Sequence, residues 1–161
     1  IKNYGEERFA FQIAKAIESR RKSSPLRTTL ELAELVAATV RTREKGQHPA
    51  TRTFQAIRIH LNQELEELSR TLSSVLGLLA PQGRMAVISF HSLEDRMVKQ
   101  CIAKASKPGE EFARMPLRES EMPQPLLKNL GKVTALPAEV SQNPRSRSAI
   151  LRVAERTATD L

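Results

Sequence analysis

Residues 80–96 read Ala80-Pro-Gln-Gly-Arg-Met-Ala-Val-Ile-Ser-Phe-His-Ser-Leu-Glu-Asp-Arg96, and this stretch decides the fold. Pro81-Gln-Gly83 predicts the end of a helix, because proline and glycine interrupt helical backbone. Residues 85–88 form a short apolar run that predicts a buried strand. Ser92, with Asp95 three residues later, is close to the capping box that opens a helix. The stretch therefore predicts a helix, a strand and a second helix, which together make an α/β unit.

The carboxyl end of this strand is the first candidate site. An apolar run is typical of a parallel strand covered on both faces, and ligands of open α/β sheets bind outside the carboxyl ends of such strands. Ser89, His91 and Ser92 follow the strand and are candidate pocket residues. With Ser92 as N-cap, the helix N-terminus is available to an anion or a polar ligand. Capping alone explains Ser92 and Asp95 equally well, so both interpretations stay open.

Helical spacing of apolar residues predicts much of the remaining chain. A helix is expected over residues 5–21, and a capping box of Thr28 and Glu31 predicts the start of a second. The same spacing continues over residues 54–79, which predicts a single helix of about seven turns. After the strand, another helix is expected to about Lys104. The chain therefore begins with a helical hairpin and continues into the α/β unit.

The last part of the chain predicts the end of the sheet. Residues 106–129 are rich in proline and have weak periodicity, which indicates a long irregular connection. Strands are expected at residues 132–136 and 148–154, with a turn at residues 137–140 between them. The last strand alternates polar and apolar residues, which predicts an antiparallel strand at the end of the sheet.

Length, charge and cysteine content bound the class of protein. A chain of 161 residues accommodates one well-buried domain, or one domain with a small appendage. A net charge of +8 favours an anionic partner, most commonly nucleic acid, although a merely soluble basic surface is the alternative. The single Cys101 is expected to pack in the core and indicates a reducing compartment. Without an apolar run that spans a membrane, we expect a cytoplasmic protein with no membrane partner.

Several kinds of site are not expected in this chain. No two of its glycines stand close enough to form a phosphate-binding loop, so no cofactor-binding residue is predicted. The three histidines lack metal-ligand spacing among themselves or with the cysteine, and no metal site is predicted. The glycines are Gly5, Gly46, Gly77, Gly83, Gly109 and Gly131.

Two basic segments are candidates for nucleic-acid contacts. Residues 48–58 place arginine and glutamine side chains at three-residue spacing on one helix face, where they can reach phosphates and base edges. Residues 143–148 form a basic turn of the kind that contacts phosphates. A solvated helix face and a simple surface turn are the respective alternatives. The candidates are His48, Arg52, Gln55, Arg58, Arg145 and Arg147.

The chain resembles a known family in several motifs. These are Tyr4-Gly-Glu-Glu-Arg-Phe9, His48-Pro-Ala-Thr-Arg-Thr-Phe-Gln-Ala-Ile-Arg-Ile59, Leu79-Ala-Pro-Gln-Gly-Arg84, Val87-Ile-Ser-Phe-His-Ser-Leu-Glu-Asp-Arg96 and Asn143-Pro-Arg-Ser-Arg-Ser148. They resemble, in order and over essentially the whole chain, the MraW/RsmH family. Members of that family are bacterial S-adenosylmethionine-dependent methyltransferases. They modify the exocyclic amine of a cytosine in small-subunit (16S) ribosomal RNA.

The resemblance implies that the chain is the carboxyl-terminal half of such an enzyme. Residues 1–47 then belong to an inserted all-helical substrate-recognition domain, and residues 48–161 to the carboxyl-terminal part of a Rossmann-like (class I) methyltransferase sheet. The cofactor loop of the family lies upstream, so S-adenosylmethionine is expected to bind mainly to the missing amino-terminal half. No catalytic residue can be carried over to this chain.

Two functions from different classes follow. The first is rRNA cytosine methylation by the full-length protein, with small-subunit ribosomal RNA or a ribosomal particle as partner; this chain alone is then expected to be inactive. The second is a non-catalytic RNA- or ribosome-binding module, and an oligomerising helical protein is a weaker third. Half of a doubly wound sheet exposes strand edges, so the isolated chain is expected to be marginally stable or to associate, as a homodimer for example, through those edges.

Overall fold

The computed structural model describes residues 1–40, 46–109 and 122–159. Contacts divide the chain into two compact units, Ile1–Glu64 and Leu65–Leu161. The boundary between these units falls after Glu64, whereas the sequence places a domain boundary after residue 47; the domain assignment itself stays a prediction. Within the described residues, no helix is both long enough and apolar enough to cross a membrane.

The first unit is helical. Its core is built from Ile13, Val36, Val40 and Ala50, all of them buried. Helix α2 packs on α3, and α1 packs on α4. The helices are α1 (Lys2–Gly5), α2 (Ala10–Ser23), α3 (Thr29–Thr39) and α4 (Thr51–Asn62).

The start of the chain differs from the prediction of one helix over residues 5–21. Glu6 adopts a left-handed backbone conformation with φ 47°, which ends α1 after a single turn. The Glu7 carboxylate then accepts the Phe9 N–H at 2.8 Å, just before α2 begins. By contrast, the capping box of Thr28 and Glu31 at the start of α3 is confirmed.

The single helix predicted over residues 54–79 is wrong. The chain forms α4 and then α5 (Glu64–Leu78), separated by Gln63 in a left-handed conformation with φ 52°. The Glu64 carboxylate accepts hydrogen bonds from Arg58 at 2.8 and 3.0 Å, which ties the new helix start to the preceding turn. Apolar spacing continues across the break, and neither glycine nor proline marks it. Periodicity therefore cannot reveal it.

The second unit joins α5 to a three-stranded sheet. Its core comprises Leu72, Met85, Val98, Ile102, Leu127 and Ala154, with Cys101 packed against it as expected. Burial raises the pKa of the Cys101 thiol. After α5, the elements are β1 (Arg84–Ser89), α6 (Ser92–Ser106), β2 (Leu127–Thr134), α7 (Pro137–Gln142), a 3-10 turn (Pro144–Ser148) and β3 (Ile150–Arg156).

The strands are arranged in the order β1-β3-β2, and both pairings are antiparallel. The antiparallel last strand is therefore confirmed, whereas the parallel pairing expected for β1 is not observed among the described residues. Met85 lies opposite Ala154 on the sheet face that packs against the core. Ile88 and Val133 lie on the other face and are 59% and 60% exposed. The prediction that both faces are covered is therefore not met by the described residues.

Two local expectations for the end of the chain are corrected. The strand predicted at residues 132–136 begins earlier, at Leu127. The turn predicted at residues 137–140 is the short helix α7. This helix starts with a proline, which the first turn of a helix accommodates. Of the irregular stretch predicted over residues 106–129, residues 110–121 lie outside the described part of the chain.

Candidate functional site

The three candidate pocket residues lie where β1 passes into α6: Ser89 ends β1, His91 is in the turn, and Ser92 begins α6. The predicted capping box of Ser92 and Asp95 is wrong by one residue. His91 is the N-cap: its Nδ1 accepts the Glu94 N–H at 3.4 Å, and the Glu94 carboxylate accepts the His91 N–H at 3.3 Å and the Phe90 N–H at 2.9 Å. The carboxylate of Glu94 therefore already compensates the positive end of the α6 dipole.

Two polar atoms at this turn are left without hydrogen-bond partners among the described residues. Ser89 is 2% exposed and its Oγ has no partner. His91 Nε2 lies 3.3 Å from Glu94 Oε1 but outside hydrogen-bonding geometry. Since Nδ1 of His91 accepts a hydrogen bond, a neutral imidazole carries its proton on Nε2, as a donor. The turn thus combines a structural cap with a hydroxyl and an imidazole N–H that have no partner, and a ligand-binding role for it stays a prediction.

The residue that joins α6 to the sheet, Arg152, is not among the predicted site residues. Arg152 of β3 donates to both carboxylate oxygens of Asp95, at 2.7 and 2.9 Å, and the two side chains are 14% and 17% exposed. These hydrogen bonds lower the pKa of the Asp95 carboxyl. Asp95 therefore fixes α6 against β3 instead of capping α6. Alternation with Leu151 and Val153 indicates a solvent-facing arginine, so the sequence pattern alone carries no signal for this buried pair.

The candidate RNA-contact residues around α4 hold the helical unit together. Arg52 Nη1 donates to the Glu6 carbonyl at 3.1 Å, and Gln55 Nε2 donates to the Tyr4 carbonyl at 3.4 Å. Both contacts follow from the close approach of α1 to α4, where a Cβ on Gly5 would lie 2.5 Å from the Arg52 carbonyl oxygen. These side chains thus have structural roles, and an RNA role for them stays a prediction.

The other two candidates in the first unit are also engaged. Arg58 forms the ion pair with Glu64. His48 Nδ1 accepts the Ala50 N–H at 3.2 Å and shapes the turn before α4. Arg52, Gln55 and Arg58 therefore lie along α4 at the predicted three-residue spacing, but each forms hydrogen bonds to a different partner within the unit.

Unlike the candidates in the first unit, Arg145 and Arg147 point their guanidinium groups to solvent. Both are exposed in the 3-10 turn of the second unit. The turn is fixed from beneath: the buried Ser146 donates its hydroxyl to the Asn143 carbonyl at 2.8 Å, and the Asn143 side chain accepts the Arg145 N–H at 3.2 Å. Neither guanidinium has a hydrogen-bond partner among the described residues. A fixed turn with two free guanidinium groups can bind phosphates.

The comparison with known proteins identifies the class. Residues 1–157 match the MraW methylase family, and the chain belongs to that family.

Its relatives carry a more specific name. The ribosomal RNA small subunit methyltransferase H of Bordetella petrii is 71% identical over 161 residues, which is 100% of this chain and 44% of that protein. Proteins of the same name from Janthinobacterium sp. (59% identical, 97% of this chain and 48% of the relative) and Cupriavidus pinatubonensis (56% identical, 98% and 50%) are also similar. The chain thus spans about half the length, or less, of these curated relatives.

Proposed function

We propose that the full-length protein carrying this chain methylates the exocyclic amine of a cytosine in small-subunit (16S) ribosomal RNA. The observation that supports this is the family match over residues 1–157, together with relatives named for rRNA methylation that align with the whole chain. S-adenosylmethionine is the proposed donor, and when bound it supplies an electrophilic methyl group.

The described residues do not by themselves fit this cofactor. A glycine that lets backbone approach a ligand leaves an open space where its Cβ would stand. Here a Cβ on Gly5 would meet the Arg52 carbonyl oxygen at 2.5 Å, and one on Gly83 would meet the Ala80 carbonyl oxygen at 2.8 Å. Both glycines accommodate the chain's own backbone. Gly46 and Gly131 have open space at the Cβ position, but their positive φ angles of 79° and 102° are those of single turn glycines, and neither has a second glycine nearby in sequence. We therefore assign the cofactor site mainly to the amino-terminal half of the full-length protein.

We assign the second unit to the carboxyl-terminal part of a Rossmann-like sheet. β1 pairs with β3 along one side, and no strand among the described residues occupies its other edge. The sheet face that carries Ile88 and Val133 exposes apolar side chains. A free edge next to an exposed apolar face favours further strands and helices at this position in the full-length protein. The helical segment of residues 1–47 then belongs to the inserted substrate domain.

The chain's own residues would act on the RNA. Arg145 and Arg147 would hold phosphates, since their guanidinium groups are exposed on a fixed turn. Ser89, His91 and Ser92 would border the pocket that receives the cytosine after it leaves its stack. Ser89 Oγ and His91 Nε2 support this role because both are polar atoms in need of a partner.

A methyl-transfer assay tests the proposal. The substrate is small ribosomal subunits that lack the modification, and the readout is transfer of a labelled methyl group from S-adenosylmethionine. The full-length protein is expected to label the RNA. The Arg145→Ala/Arg147→Ala variant is expected to raise KM for the subunit several-fold with unchanged cofactor affinity. Arg70→Ala is the control, because Arg70 is an exposed arginine of the same unit paired with Glu67.

The non-catalytic alternative makes the opposite prediction. A ribosome-binding module would bind the subunits with similar affinity and salt dependence but transfer no label. Absence of transfer by a folded, cofactor-bound full-length protein would therefore favour that alternative over the methyltransferase.

A further inference from the structure

The helical first unit contains a small polar cavity of about 100 Å³. It lies beside the turn between α1 and α2 and the segment that precedes α4. Glu7, Arg8 and Phe9 line it from the turn between α1 and α2. His48 lines it from the segment before α4, and Arg52 from the first turn of α4. A volume of this size admits several water molecules or one small planar ring.

Glu7 is the unusual member of this lining. The residue is only 7% exposed. Its Oε1 accepts the Phe9 N–H at 2.8 Å, and its second carboxylate oxygen has no hydrogen-bond donor among the described residues. That oxygen is not among the buried atoms that lack a partner, and Glu7 lines the cavity, so the oxygen is accessible from the cavity. The second oxygen of Glu7 is therefore placed to accept a hydrogen bond from a ligand.

Donors line the same space. Arg52 is fixed by its hydrogen bond to the Glu6 carbonyl, and Arg8 is exposed at the cavity. His48 Nδ1 accepts the Ala50 N–H, so the proton of its neutral ring is on Nε2. Phe9 adds an aromatic ring. The cavity thus combines one acceptor, several donors and a surface for stacking.

This combination discriminates between ligand classes. A lone phosphate is repelled by the Glu7 carboxylate, and a simple amine makes no use of the arginine and histidine donors. A nucleobase with an exocyclic amine beside a ring-nitrogen acceptor uses both, because a carboxylate accepts from the amine while donors reach the ring acceptors. Unpaired bases in RNA are recognised in this way, with stacking on an aromatic side chain.

We propose that this cavity binds one unpaired amino-bearing nucleobase, cytosine or adenine, of an RNA strand. Glu7 accepts a hydrogen bond from the exocyclic amine, and Phe9 stacks on the ring. Arg52 and His48 donate to the ring acceptors, while Arg8 pairs with the adjoining phosphate. The inference rests on the proposed function in one respect, which is that the ligand is RNA.

The test compares two short RNAs of equal size and charge. The full-length protein is titrated with fluorescein-labelled pentacytidylate and pentauridylate, whose bases differ in having an amine or a carbonyl at the same ring position. We expect pentacytidylate to bind about tenfold more tightly, as one good base-edge pair provides. In Glu7→Gln this preference is expected to fall several-fold, to whatever the proposed methylation pocket alone provides, because an amide N–H₂ replaces the accepting oxygen while the Phe9 N–H keeps a partner.

Two further variants make the result specific. Glu18→Gln removes an equivalent charge from the exposed Glu18–Lys22 pair of α2 and is expected to keep the tenfold preference. Arg8→Met is expected to weaken both RNAs several-fold with the preference retained, because Arg8 contacts only phosphate. Arg8 is exposed, so this variant is expected to fold even where Glu7→Gln does not.

The outcomes are separable from those of the methylation assay. Equal binding of the two RNAs by the unaltered protein, an undiminished preference in folded Glu7→Gln, or unchanged binding by Arg8→Met would each overturn the cavity assignment, whether or not methyl transfer occurs. A preference reduced only in Glu7→Gln would support it even if the protein proved not to methylate rRNA.

Discussion

Replacing Asp95 with asparagine removes the charge from the pair that joins α6 to β3 while keeping the size of the side chain. Arg152 donates two hydrogen bonds to this carboxylate, at 2.7 and 2.9 Å. Both side chains are largely buried, at 14% and 17% exposed. The substitution therefore leaves a guanidinium with little access to water and no counter-charge.

The expected magnitude lies between two limits. Breaking a fully buried ion pair costs about 3–5 kcal/mol, and an exposed pair contributes about 0–1 kcal/mol. Because this pair is mostly buried but reaches water at its edge, we expect Asp95→Asn to lower the free energy of unfolding by about 2 kcal/mol. The Arg84–Glu155 pair in the same sheet is the control, since Arg84 is 68% exposed. Arg84→Met is expected to cost less than about 1 kcal/mol.

Urea unfolding of the full-length protein measures these effects, with a double-mutant cycle between Asp95→Asn and Arg152→Met. A coupling free energy of about 1 kcal/mol or more is expected for residues that share these hydrogen bonds. If the cycle gives a coupling no larger than that of Arg84 with Glu155, the assignment of Asp95–Arg152 as the link between α6 and the sheet is refuted.

The pH dependence gives a second check on the same pair. The pKa of Asp95 is lowered in the folded protein, chiefly by its hydrogen bonds to Arg152. A group with a lowered folded pKa stabilises the protein above its unfolded pKa, and that stability is lost as the pH falls through the folded pKa. The stability difference between the unaltered protein and Asp95→Asn should therefore be constant at neutral pH and shrink below about pH 4. A difference that is unchanged down to pH 2 would contradict this.

Three further predictions concern the cap of α6, the contact of α1 with α4, and the behaviour of the isolated chain. His91→Ala should lower the free energy of unfolding by about 1 kcal/mol, because α6 loses its cap. Ser92→Ala should leave the free energy of unfolding almost unchanged. Equal effects of the two variants would contradict the assignment of His91 as the cap. Gly5→Ala should cost about 1–3 kcal/mol in thermal or urea unfolding, because its Cβ would meet backbone at 2.5 Å; a neutral result would show that α1 and α4 are not so close. The isolated chain should give no measurable S-adenosylmethionine binding by isothermal titration and should self-associate in sedimentation experiments, whereas tight cofactor binding by a monomer would refute both expectations.

Local signals account for what the sequence predicted well. The apolar run of β1, the proline and glycine before it, and the Thr28–Glu31 box each act within a few residues. Such signals require no knowledge of the rest of the fold. The antiparallel last strand was predictable for the same reason, because alternation along β3 is a property of that segment alone.

The errors concern features that depend on particular side-chain contacts or on the exact path of the backbone. Glu6 and Gln63 adopt left-handed conformations that their residue types do not favour, and hydrogen bonds around each turn hold them there. His91 and Ser92 are both able to cap a helix, and only the backbone path from β1 to α6 decides between them. Periodicity carries no information about either.

The candidate site residues that are adjacent in sequence were predictable, whereas one that depends on the fold was not. Ser89, His91 and Ser92 meet at the end of β1 because they are adjacent in sequence. The free arginines of the 3-10 turn were likewise visible as a basic cluster. Glu7 was not, since one glutamate in a charged segment acquires meaning only when the fold places it, largely buried, in the lining of a cavity.

The most direct test of the central claim is the chemical identity of the modified nucleoside. Small-subunit ribosomal RNA from cells that lack the gene, and from the same cells complemented with the full-length gene, is digested to nucleosides and analysed by mass spectrometry against authentic standards. A cytidine methylated on its exocyclic amine should be lost with the gene and restored by it. An unchanged amount of that nucleoside, or a methyl group on a carbon of the ring instead, would contradict the account.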